Sequence, residues 1–173
     1  MACPTLKINP KATDLAAALA LFIADRAQLA AQHGLTLNYR PHADLPVVLV
    51  DPDLFTQVMS NVLGNAINYT PPGGTVTIIT AVVDNTDSPT RWVTVSVQDT
   101  GPGITPADRP HIFERFYRGV AGRRSGAPGT GLGLAICKEI IERMHGRLTV
   151  QSEPEQGAVF TMWLPTVQVE AAA

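Results

Sequence analysis

At 173 residues the chain is long enough for a single domain with a real core. Its net charge of −2, from 13 basic and 15 acidic residues, excludes a nucleic-acid footprint and a polybasic membrane arm. Two cysteines, Cys3 and Cys137, make no disulfide framework and no CxxC pair, which fits a reducing cytoplasm.

In chain order, Leu6 to Ile8 reads as a short edge strand, and Thr13 or Asp14 caps a helix running to about Gln32 before Gly34. Its apolar run, Leu15 to Ala24, lies between Asp14 and Asp25 and is too short to span a bilayer. Leu35 to Arg40 and Val47 to Val50 read as strands, the second feeding a helix that starts at Asp51. Pro71-Pro72-Gly73-Gly74 stops that helix and turns the chain. Thr75 to Val83 and Trp92 to Gln98 then form a hairpin across the polar turn Asp84 to Thr90. Thr105-Pro106 opens a short helical piece, and Phe113 to Gly129 reads as a glycine-punctuated, arginine-bearing loop. A helix from Thr130 to His145 precedes a last hairpin, Arg147 to Gln151 and Ala158 to Leu164. Paired strands between helices, without regular βαβ alternation, predict an α+β two-layer sandwich: one sheet with helices on one face.

The helix from Asp51 to Thr70 has two unlike sides. Leu54, Phe55, Val58, Met59, Val62, Leu63, Ala66 and Ile67 recur at helical spacing as one apolar stripe. Gln57, Asn61, Asn65 and Asn68 align on the other side. No charged residue occurs from Leu54 to Val83, whereas a merely solvated face usually carries charge. Asparagine also disfavours helix by roughly 0.6 kcal/mol per position relative to alanine. The stripe is therefore expected to be one wall of a ligand site.

Two glycine clusters point to what that ligand is. Gly129-Thr130-Gly131-Leu132-Gly133 opens a helix, where backbone N–H groups and the helix dipole favour phosphate. It is neither a Walker A motif nor a Rossmann fingerprint. Asp99 ends a strand ahead of Gly101 and Gly103, so its carboxylate can accept from an exocyclic amine while the glycines admit a flat ring. Arg115, Arg118, Arg123 and Arg124, interleaved with Phe113, Phe116 and Tyr117, suggest a cationic lid over terminal phosphates. Each feature alone has a plainer reading as a turn or a solvated loop. Together they fit a purine nucleoside triphosphate with Mg²⁺, for which asparagine oxygens are suitable hard ligands.

From about Leu6 to Pro165 the chain resembles the catalytic ATP-binding domain of two-component sensor histidine kinases, in the GHKL group with gyrase B, Hsp90 and MutL. Four ordered motifs carry the resemblance: NVLGNAINYTPPGG, DTGPGI, FERFYR and GTGLGLA. It implies a Bergerat fold, with Asn61 and Asn65 as catalytic residues and metal ligands, and Tyr69 beside them. Asp99 matches the adenine-binding acid, next to Gly101, Gly103 and Ile104. Phe113, Tyr117 and Arg118 belong to the lid side, with Arg118 at the γ-phosphate. Gly129, Thr130, Gly131, Leu132, Gly133 and Leu134 line the phosphates.

Further expectations follow from the resemblance. The hydrolytic relatives and the anti-sigma serine kinases place a glutamate where this chain has Asn61, which cannot act as a general base. The phosphoacceptor is then a histidine on a separate dimerisation domain, because His33, His42, His111 and His145 match no acceptor motif. A response regulator is an indirect partner, the isolated domain is monomeric, and its place is cytoplasmic within a parent that is soluble or membrane-anchored. Two departures stand out: Asn68 replaces a frequent basic residue, and Gly157-Ala158 lacks a frequent hydroxyl. They motivate a rival reading as a nucleotide-sensing or partner-docking module without kinase activity. The serine-kinase reading is disfavoured by Asn61.

Overall fold

The computed structural model describes residues 7–84, 91–120, 122 and 129–167. Strand β1 spans Lys11–Thr13, helix α1 Leu15–Gln32, β2 Thr36–Arg40, β3 Val48–Val50 and helix α2 Pro52–Tyr69. Strands β4 (Thr75–Asp84) and β5 (Arg91–Asp99) precede helix α3 (Gly133–Arg143), and β6 (Arg147–Ser152) and β7 (Ala158–Pro165) follow it. The first strand therefore lies at Lys11–Thr13 and not at Leu6 to Ile8; Ile8 is irregular and Leu6 lies outside the described residues. Residues 105–113 form turns in place of the expected short helix. The 85–90 turn and Arg123 and Arg124 also lie outside the described residues.

Five strands make the main sheet in the order β2-β4-β5-β7-β6. All pairs are antiparallel except β2 with β4, whose parallel register sets Thr36 opposite Thr75. A parallel pair needs a crossover, and α2 lies within it. A second sheet, β1 with β3, is antiparallel and joins the main body through a bridge from Val48 to Thr166. Two sheets thus replace the one expected, because three-residue strands can be recruited by pairing without an alternating pattern of their own.

The core lies between the main sheet and the helices. Val93, Val95 and Val97 of β5 and Phe160, Met162 and Leu164 of β7 are buried on the inner side, against Val58, Met59, Val62 and Leu63 of α2. Each fully buried side chain of this size contributes about 1.5–3 kcal/mol. The opposite side of the sheet is polar and aromatic, with Arg147 stacked 4.3 Å from the Trp163 ring centre and 5.7 Å from that of Trp92.

Asp14 caps α1 by accepting from the Ala17 amide, and Gly34, at φ 70°, closes its end. At 18 residues α1 is long and apolar enough to cross a membrane by length and composition, although its apolar run alone is shorter. Leu15, Leu19 and Ala30 pack into the core, while Leu21 is 77 % exposed.

Candidate functional site

A cleft of about 440 Å³ opens between α2, the loop after β5, the 105–119 segment and the start of α3. Ligand sites commonly fall in this size range. Its polar walls come from Asn61, Asn65, Asn68, Tyr69, Asp99, Asp108, Tyr117, Arg118 and Thr130, and its apolar floor from Ile104, Ile112, Leu134, Ala158 and Phe160.

Asp99 is the last residue of β5, 8 % exposed. Its Oδ1 accepts from the Gly101 amide at 2.9 Å and the Ala158 amide at 3.3 Å. Among the described residues nothing donates to Oδ2, which leaves that oxygen for a donor in the cleft. Burial pushes the Asp99 carboxyl above its ordinary value, and the Gly101 and Ala158 amides offset this in part. Ser152 holds the loops that carry these amides: its Oγ donates to the Gly157 carbonyl at 2.6 Å and accepts from the Ile104 amide at 2.8 Å. The absent hydroxyl at Ala158 is thus matched by a backbone amide on Asp99 and a neighbouring hydroxyl on the loop.

The far end of the cleft is built by α2 and α3. Leu132 precedes α3 with no side-chain cap among the described residues, which leaves the first-turn amides as donors for a ligand. A Cβ on Gly133 would stand 3.5 Å from Asn61 Oδ1, which puts the asparagine wall directly against that helix start. The Cys137 thiol, also beside Asn61, is pushed up to about 11 by burial and is an inert core group.

Asp108 organises the lid side. Its Oδ1 accepts from Tyr117 Oη at 2.6 Å and its Oδ2 from the Val120 amide at 3.0 Å. Arg118 Nη2 donates to the Gly122 carbonyl at 2.6 Å and turns back over the cleft. Gly131, at φ 72°, receives the Phe116 amide on its carbonyl at 2.8 Å, and a Cβ there would lie 2.6 Å from the Phe116 backbone. A side chain at Gly131 would therefore displace the Phe116 backbone.

Of the expected site residues, Asn61, Asn65, Tyr69, Asp99, Gly103, Ile104, Tyr117, Arg118, Gly129, Thr130, Gly131, Gly133 and Leu134 line the cleft. Gly101 contributes its amide to Asp99 without lining it. Phe113 packs edge-on to Phe160, 6.4 Å between ring centres, behind the cleft wall. Leu132 does not line it either. Gln57, read as part of the polar stripe, is exposed and outside it. At Gly103 the close approach is to the chain itself, since a Cβ would collide with the Glu153 carbonyl. Ser60, Gly64 and Asp108 line the cleft without having been singled out in the sequence. The first two are ordinary residues whose one signal is that they directly precede Asn61 and Asn65 on the helix.

No group of three or more His, Cys, Asp or Glu converges among the described residues. Asn61 and Asn65 bring side-chain amide oxygens to the cleft, of a kind that suits a hard cation.

The family described as Histidine kinase-, DNA gyrase B-, and HSP90-like ATPase matches residues 50–168. The chain is 41% identical over 143 residues to Sensor histidine kinase Hik2 of Synechocystis sp. (strain ATCC 27184 / PCC 6803 / Kazusa), covering 79% of this chain and 33% of that protein. It is 38% identical over 160 residues to Adaptive-response sensory kinase SasA of Synechococcus sp. (strain CC9311), covering 92% and 40%. It thus spans a third to two fifths of the length of these curated relatives. Among solved structures, full-length ShkA in complex with AMPPNP superposes with a TM-score of 0.79 at 28% identity, covering 95% of this chain and 33% of that one. Mycobacterial sensor histidine kinase MprB gives 0.74 at 27%, covering 90% and 97%. With the α+β sandwich, the four motifs and the cleft they line, the chain belongs to the histidine kinase-, DNA gyrase B- and HSP90-like ATPase family, and it is similar to the ATP-binding domain of sensor histidine kinases.

Proposed function

We propose that this chain binds Mg–ATP and donates the γ-phosphoryl group to a histidine on a separate dimerisation domain of its parent. The observation that carries the reading is that the unpartnered Asp99 Oδ2 and the uncapped start of α3 open into one cleft. Asp99 accepts from the adenine exocyclic amine, and Ile104 and Leu134 cover the ring. The α3 amides hold the phosphates, with Arg118 above them. Asn65 and Asn61 would hold Mg²⁺, which would supply charge neutralisation at the phosphates.

Transfer forms a bond from an imidazole nitrogen to the γ-phosphorus and breaks the bond to the ADP oxygen. No base is needed in this chain, since Asn61 holds and orients while the imidazole is itself the nucleophile. The work of these residues is positioning and charge stabilisation. The reading carries with it a cytoplasmic location, a monomeric isolated domain, and a response regulator reached only through the phosphohistidine. Nucleic acid and membrane are not contacted by this domain.

Calorimetry with AMPPNP, with and without Mg²⁺, tests the binding step; no heat of binding in either condition sinks it. Radiolabelled ATP with a dimerisation-helix fragment tests transfer, and tight binding without labelled fragment would leave a nucleotide sensor in place of a kinase.

A further inference from the structure

Arg26 belongs to α1, outside the family match at residues 50–168 and outside every motif read from the sequence. Its Nη2 nonetheless reaches Ser60 Oγ, at 3.5 Å, on the asparagine wall of the cleft. The wall has a direction. Tyr69, at the C-terminal end of α2, lies against Gly101 beside Asp99, while Asn61 lies against Gly133 at the start of α3. Ser60 is thus at the phosphate end, one residue beyond Asn61.

The guanidinium there is held but under-used. It stacks on the Phe22 ring, 5.2 Å from its centre, which keeps it in place. Its Nε is buried with no hydrogen bond among the described residues. The Ser60 contact is at the outer limit of hydrogen bonding. The Asp25 carboxylate, 3.7 Å from Nε, is 76 % exposed and its pairing is screened. Meanwhile the α2 wall offers no cation at all, since no charged residue occurs from Leu54 to Val83.

We infer that Arg26 is a second phosphate-contacting cation, reaching the terminal phosphate of the nucleotide from the α1 side, opposite Arg118. The planar fork of arginine matches two phosphate oxygens in a way that a lysine point charge does not. The inference rests on the ATP reading above and adds discrimination between triphosphate and diphosphate at the same site.

Calorimetry of the 173-residue chain with AMPPNP and with ADP, both with Mg²⁺, tests it. Arg26→Ala should weaken AMPPNP about 10-fold or more while ADP stays within about twofold. Arg26→Lys should fall between parent and alanine. Arg26→Gln, which keeps the length over Phe22, should reproduce the alanine result at an unchanged melting temperature. If AMPPNP affinity is untouched, or if both nucleotides weaken equally, Arg26 has no phosphate role and the inference is overturned alone. A parent chain that binds neither nucleotide overturns the ATP reading and the inference with it.

Discussion

Asp51 and Asp99 are equally hidden, each 8 % exposed, and each stands where a strand gives way to the next element. Their surroundings differ. Asp51 accepts on both oxygens: Oδ2 from the Asn9 amide at 2.8 Å, Oδ1 from the Asp53 and Leu54 amides at 3.1 and 3.2 Å. The Asn9 amide foremost, then those of Leu54 and Asp53, hold its carboxyl below the usual range against the opposing effect of burial. Asp99 accepts on one oxygen only, and there burial wins. A buried carboxylate that is fully donated to ties a strand to a helix. One that is half donated to keeps an acceptor in a dry cleft at a cost in solvation, which a ligand donor can offset.

The largest expected effect comes from reversing the free oxygen. Asp99→Asn keeps the shape but removes the charge and can turn an amide donor toward the adenine amine. AMPPNP affinity should fall about 100-fold, as for loss of a charged hydrogen bond, with no loss of urea stability. Equal binding by parent and variant would remove Asp99 from the adenine site. The counterpart is Asp51→Ala, which uncaps α2 and frees the Asn9 amide. It should lower stability by about 1–2 kcal/mol in urea melts and leave AMPPNP affinity within about twofold. Should affinity fall as far as for Asp99→Asn, the two aspartates are not separable in this way.

The contrast between the two was only half visible in the sequence. The start of the α2 helix at Asp51 and the position of Asp99 at a strand end are local patterns, and both were legible; the capping role of Asp51 was not read. The apolar and asparagine stripes of α2 were legible too, because helical period makes neighbours of residues three and four apart. What decides the two carboxyl environments was not legible: Asn9 lies 42 residues from Asp51, and Ala158 lies 59 residues from Asp99. Asp108 was missed for the same reason, since its partners Tyr117 and Val120 sit across irregular chain with no period to read. Gly103 and Gly131 were read as points where a ligand comes close to the backbone, whereas in the structure a Cβ at either would meet the protein backbone itself. Arg26 belongs to no motif; only packing brings α1 beside Ser60.

Ser152 sharpens the comparison, since it acts on Asp99 through the loops and not by touching it. Ser152→Ala leaves the Ile104 amide and the Gly157 carbonyl without their hydroxyl partner. Stability should fall by about 1–2 kcal/mol, and AMPPNP affinity by a few-fold as the Ala158 amide loosens. Unchanged affinity at reduced stability would show that Ala158 keeps its place without the hydroxyl.

The smallest effect, and the most direct reading of the difference, is in pH. Because the Asp99 carboxyl is raised in the folded chain, the folded state takes up its proton before the unfolded state does. Acidification through that interval therefore adds stability from Asp99, and the same increment is lost as pH rises through its raised value. The Asp51 carboxyl is lowered, so its contribution is present above the ordinary value and lost only as pH falls through the lowered one. If nucleotide binding uses the Asp99 acceptor as proposed, affinity should begin to fall at a pH above the ordinary aspartate value, while neither aspartate yet weakens the fold. Titration of AMPPNP affinity beside urea midpoints, in parent and Asp99→Asn, separates the two. The parent should show falling affinity at sustained stability, and the variant a flat profile over the same interval. Parallel loss of affinity and stability in the parent would mean that the cleft titrates by unfolding and that the two carboxylates serve one structural purpose.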